Sequence, residues 1–263
     1  MSVVTDIGKK WLTQRSRALE QVVVAVLLVV AGSGSWDELF ARALWVPSLV
    51  LSLVTLRLMD DLGSLERDRS KKPRPMHATL SDTSPLRKFM SILALMGVLS
   101  TLPLSDWVVT AGVAGLMTLY HIAYLTLPER SWTASRHLWV HLKYPLLALL
   151  IALPVGAGDI GGACAVFVIF GLFELVDEPN FYRDRSRVVF AGIYGALLAF
   201  ALILRADSTQ GEKGLEEALV AAVAAVAFGI GVRGQKGIGR TLKYLPFAVG
   251  LLSLLISGNR VPG

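Results

Sequence analysis

Two stretches of this sequence place acidic residues at spacings that suit metal chemistry. Residues 60–70 read DDLGSLERDRS, and residues 176–186 read VDEPNFYRDRS. At a constant offset of 116 positions, Asp61 aligns with Asp177, Ser64 with Asn180 and Asp68 with Asp184. The tetrapeptide RDRS then recurs at 67–70 and 183–186. Positions i, i+3 and i+7 share one face of a helix. Asp61, Ser64 and Asp68 can therefore address one point, and Asp177, Asn180 and Asp184 another. Asp60 adds a ligand in register with Ser64 and Asp68, at i, i+4 and i+8. Carboxylates at a membrane helix end are costly to desolvate without a counter-charge. Magnesium supplies that charge, and it completes its shell with waters and phosphate oxygens. Two such helix ends suit an ion-bridged diphosphate. The nearby cations Arg57, Arg67, Arg74, Lys143 and Arg183 can hold its remaining oxygens.

The elements that must position these residues are membrane helices. Hydrophobic residues make up 54% of the 263, charged residues only 17%, and mean hydropathy is +0.57. The charges cluster between long apolar runs, whereas a soluble chain gives each surface helix a polar face. A crossing takes about 20 mostly apolar residues. Nine candidate spans lie near 18–33, 38–60, 86–104, 106–127, 138–155, 159–177, 187–205, 215–233 and 242–258. With the N-terminus inside, 22 of the 26 Lys and Arg residues fall in inside segments or at an inner helix end. Arg42, Arg205, Lys213 and Arg260 are the exceptions. This is the positive-inside pattern. It accounts for the net charge of +6 without a nucleic-acid partner, and it is also an alternative explanation for each cation named above.

The expectation is an all-α, multi-pass integral membrane protein, one transmembrane domain over 1–263. Its site faces the cytoplasm. Motif 1 at 60–75 and motif 2 at 176–186 end the second and sixth spans, so two parallel, pseudo-repeated halves are expected. The polar start reads as an amphipathic lead-in helix anchored at the interface by Trp11 and Leu12. Cys164 is the single cysteine and lies in an apolar run, which excludes a disulfide framework or a cysteine metal site.

Acidic motifs after the second and sixth of nine spans resemble those of the UbiA superfamily of intramembrane prenyltransferases. That family carries N-D-x-x-D-x-x-x-D followed by a basic segment ending in Arg-Pro. Residues 60–68 are similar, with Asp60 for the Asn and Ser64 for the middle Asp, and KKPRP follows at 71–75. The family's second motif, D-x-x-D-x-x-x-D, is matched by Asp177, Asn180 and Asp184, again with the middle Asp replaced. Tyr124 and Pro128 resemble residues the family often carries after its fourth span. The first motif also resembles the N-D-x-x-S-x-x-x-E triad of soluble class I terpene synthases, in which a serine is a magnesium ligand. The resemblance implies a nine-helix bundle, magnesium as cofactor and an isoprenyl diphosphate as substrate, with Asp61, Asp68, Asp177 and Asp184 as its catalytic carboxylates. Ser64 and Asn180 still offer oxygen where the family has carboxylates, so the site is weakened or retuned rather than abolished.

Three functions stay open. The first is prenyl transfer to an acceptor that the sequence leaves unidentified. The second is terpene cyclisation of the same diphosphate without an acceptor, which needs aromatic faces around a cation. Tyr120, Tyr124, Phe170 and Phe173 can supply these, and His121 can orient an acceptor, although ordinary helix packing accounts for all five as well. The third is a non-catalytic membrane protein or transporter, motivated by the two missing carboxylates. His137 and His141 stand at i and i+4 without an evident third ligand. The glycine-rich RGQKGIGR at 233–240 lacks the spacing of a phosphate-binding Walker loop.

Overall fold

The computed structural model describes residues 2–15, 18–33, 36–70, 75–104, 107–125, 136–152 and 160–177, together with 193, 196, 197 and 201. These are 91% helical, and no strand occurs among them. The helices are α1 (Ser2–Arg15), α2 (Ala18–Gly32), α3 (Trp36–Arg42), α4 (Val46–Gly63), α5 (Leu65–Ser70), α6 (Met76–Thr79), α7 (Ser84–Leu99), α8 (Trp107–Leu125), α9 (Arg136–Ala152) and α10 (Ile160–Asp177). A 3₁₀ turn, Ala43–Trp45, joins α3 to α4.

Apart from α5 and α6, which lie between the second and third expected spans, these helices fall on the first six expected spans and on the expected lead-in. The spans expected near 215–233 and 242–258 lie outside the described residues, as does 187–205 apart from four helical positions. Among the described residues, two helical stretches, Glu38–Gly63 and Trp107–Leu125, are long and apolar enough to cross a membrane. Helices α2 and α7, with 15 and 16 residues, are shorter than the roughly 20 a straight crossing takes. The end of α7 is set locally. Ser100 N–H bonds back to Met96 O, and Thr101 Oγ1 donates to Val98 O, so the expected span to 104 closes in turns instead.

The chain forms two compact units, Met1–Val26 with Leu44–Val140, and Leu27–Ala43 with His141–Gly263. In the first unit α4 is the central helix, with α7 and α8 packed against it and α1 against α7 and α6. Pro47 sits in the first turn of α4, where its missing N–H breaks no bond. Small residues bring α4 and α7 together: a Cβ on Gly97 would lie 3.4 Å from Ser52 Oγ, and Ser48 Oγ donates to Ser100 O at 3.1 Å. Gly63 is tighter still. A Cβ there would stand 2.6 Å from the Tyr124 carbonyl oxygen, so only glycine lets the end of α4 lie on the end of α8.

In the second unit Gly32 of α2 lies against Ala148 and Ile151 of α9. Tyr144 of α9 stacks on Phe170 of α10 at 3.4 Å between ring centroids, and His141 meets Phe167 edge-on at 6.4 Å. Arg42, one of the cations outside the positive-inside pattern, is buried and pairs with Glu38 at 3.7 Å along its own helix.

Candidate metal centre

The first acidic motif spans the end of α4, a turn at Ser64, and α5. The turn barely interrupts the helical path, because Asp68 N–H still bonds to Ser64 O at 2.9 Å. Asp61, Ser64 and Asp68 therefore keep the common face read from their spacing, and all three are buried. Ser64 has a single hydroxyl proton, with the Asp60 carbonyl at 2.8 Å and Asp68 Oδ2 at 3.2 Å as acceptors. The shorter bond ties the hydroxyl back to the last turn of α4.

Two residues outside the motif complete the cluster. His77, on the one-turn helix α6, is fully buried and places Nε2 2.9 Å from Asp68 Oδ2. Its Nδ1 stands 3.7 Å from Asp61 Oδ2. Trp11, from α1, donates its indole N–H to Asp61 Oδ2 at 2.9 Å. The expectation for Trp11 was an interfacial anchor, and the structure corrects it: the side chain is 0% exposed. A buried carboxylate cut off from water needs protein donors, and α1 brings one. On the other oxygen of Asp61, half-exposed Arg57 places Nε 3.7 Å away. Among the described residues, Asp61, Asp68 and His77 form one group whose ligand atoms all lie within 4.8 Å of one another. Asp60 is buried beside them without joining that group.

The remaining expected site residues divide. Tyr120 and Tyr124 are buried on α8 and face each other at 5.6 Å, with Tyr124 against Gly63. His121, the next residue on that helix, is exposed, so it does not share their buried face. Phe170 is buried in the stack with Tyr144. Lys143, expected to reach a diphosphate, is only 2% exposed, and its Nζ lies 5.1 Å from the Tyr144 ring centroid. Asp177 is the last residue of α10 and Phe173 lies within it; their side chains, and that of Arg67 in α5, are outside the description. Arg74, Asn180, Arg183 and Asp184 lie outside the described residues altogether.

The donor set fits a divalent cation. Two buried carboxylates and a hydroxyl on one face offer hard oxygen, and a buried imidazole adds nitrogen. His77 had no signal in the motif spacing. Its only sequence clue is its place nine residues beyond Asp68, at the end of KKPRPMH, where a buried acid would seek a donor. Comparison with protein-family models, with curated proteins and with solved structures gave no match.

Proposed function

We propose that the chain is a multi-pass membrane protein of about nine helices that ionises an isoprenyl diphosphate and transfers the prenyl group to an acceptor. The single observation that carries this reading is the convergence of Asp61, Ser64 and Asp68 at a buried helix end, in the pattern that resembles a prenyltransferase motif. The membrane part is supported by Glu38–Gly63 and Trp107–Leu125, and by outward apolar side chains such as Ile92, Leu95, Met96, Leu119 and Ile122.

In this reading Asp61 and Asp68 hold the cation, with Ser64 contributing oxygen beside them. When bound, magnesium supplies positive charge against the diphosphate oxygens as the allylic carbon–oxygen bond breaks. Arg57, half-exposed above Asp61, turns its guanidinium to the same leaving group. Trp11 and His77 fix the carboxylates in place and keep water from the apolar side. Asp177, Asn180 and Asp184 provide the second acidic end, and Arg67, Arg74, Lys143 and Arg183 further cations.

A second reading, cyclisation without an acceptor, is favoured by one observation, the buried Tyr120–Tyr124 pair, whose Tyr124 lies against the motif's own glycine. Aromatic faces there can stabilise an allylic cation. The deciding experiment incubates purified protein with geranyl, farnesyl and geranylgeranyl diphosphates, with magnesium or chelator, without acceptor. Pyrophosphate release that rises only when acceptors are added supports transfer. Magnesium-dependent cyclic terpenes establish cyclisation instead. No metal-dependent diphosphate binding or release under any condition sinks both.

A further inference from the structure

We infer that His77 is a metal ligand, and that with Asp61 it makes the first motif a site for a first-row transition-metal ion such as manganese or zinc rather than magnesium alone. The inference rests on the proposed function only in taking this motif as a divalent-cation site, and it needs no prenyl chemistry.

The reasoning starts from one proton. Nε2 of His77 lies 2.9 Å from Asp68 Oδ2, a carboxylate oxygen that can only accept, so Nε2 carries the hydrogen. Nδ1, on the opposite edge of the ring, is then the nitrogen placed to offer a lone pair. That atom is buried, makes no hydrogen bond, and faces Asp61 Oδ2 at 3.7 Å. The separation is too long for a hydrogen bond. Two lone pairs facing each other in a dry site repel, and a cation between them removes the conflict. Donors that share one metal at about 2.1 Å each stand roughly 3.0–3.6 Å apart, close to the observed gap.

The surroundings match what metal-bound histidines require. Such a histidine donates its other ring N–H to a carboxylate, which fixes tautomer and orientation. Asp68 Oδ2 is that carboxylate, and the indole of Trp11 holds Asp61 Oδ2 in the same way. The selectivity follows from the donor types. Imidazole nitrogen suits zinc, iron, copper and nickel, whereas magnesium is served by oxygen donors.

The test uses the full chain in detergent, stripped with chelator and titrated with manganese. Pulsed electron paramagnetic resonance reads nitrogen coupling to the bound ion. The expected result is manganese binding with nitrogen coupling, and zinc displacing manganese at far lower concentration than magnesium does. His77→Gln should lose the coupling and weaken manganese binding by more than the roughly 10- to 100-fold that loss of an outer-shell partner costs. Manganese that binds without nitrogen coupling, or not at all, overturns the inference, and the wild-type spectrum decides this even if the variant misfolds. Nitrogen-coupled manganese with no turnover of any diphosphate would leave the inference standing and remove the proposed function. Magnesium-dependent turnover without nitrogen coupling would do the reverse.

Discussion

At the residue scale the cluster holds two buried carboxylates and a histidine whose partners come from three separate segments. Removing one partner leaves the other desolvated, which costs about 1–3 kcal/mol for an ordinary buried polar group. Trp11→Phe keeps the ring and deletes only the N–H to Asp61. It should lower stability in detergent by that amount, with a smaller loss when Asp61→Asn is already present, measured by thermal unfolding of the four-member cycle. Ser64→Asp restores the carboxylate that the prenyltransferase pattern has at this position. It adds charge 3.2 Å from Asp68 Oδ2, so melting in chelator should drop. Magnesium should then raise the melting temperature more than it does for wild type, and an unchanged magnesium response would argue against a cation at this face. Asp61, Ser64 and Asp68 were legible because helical spacing alone puts them together. Trp11 and His77 were not, because the need they meet appears only once Asp61 and Asp68 are buried against α1 and α6.

Elements set the tolerances within which those residues work. The end of α4 touches α8 through Gly63, where an added methyl would meet the Tyr124 backbone at 2.6 Å. Gly63→Ala must push two helix ends apart and should cost about 1–3 kcal/mol, as overpacking does. Gly115→Ala, on the same α8 with nothing within 4 Å, should show no loss in the same unfolding assay. At the start of α7, Asp82 accepts hydrogen bonds from the Ser84 backbone N–H and hydroxyl, which hold its carboxyl below the usual aspartate range. A folded pKa that is depressed gives stability present above the unfolded pKa and lost as pH falls through the folded one. The stability difference between wild type and Asp82→Ala should therefore be present at neutral pH and fade in acid. Long apolar runs made α2, α4, α8, α9 and α10 readable to within a few residues. The short helices α5 and α6, of six and four residues, carry no such run. Their form depends on the contact between them, not on periodicity.

For the whole molecule, the described residues confirm helices on six of the expected spans, and the crossing pattern is a matter of the proposed membrane reading. That reading has a direct consequence for labelling. With Cys164 replaced by serine, single cysteines at 34, 73, 105 and 130 should react alternately with an impermeant thiol reagent, the first and third from outside and the second and fourth from inside. Reaction of all four from one side would refute the nine-helix arrangement. The charge partition that underlies it was visible in the sequence, and Arg42 shows why it is imperfect: this cation is buried against Glu38, so it answers to its helix neighbour and not to a loop.

The bond from Trp11 to Asp61 spans fifty residues of chain, and synthesis is directional. Trp11 leaves the ribosome first and has no partner until α4 has emerged. The bond to Asp68 closes later still, because His77 follows Asp68 by nine residues. A nascent chain whose α5 has just emerged would thus hold two acids at the end of a hydrophobic helix with the histidine still in the exit tunnel. The cluster can close only in order, Trp11 meeting Asp61 once α4 is in place and α6 bringing His77 last, so the same few bonds that shape the cluster also set when in biogenesis it becomes complete.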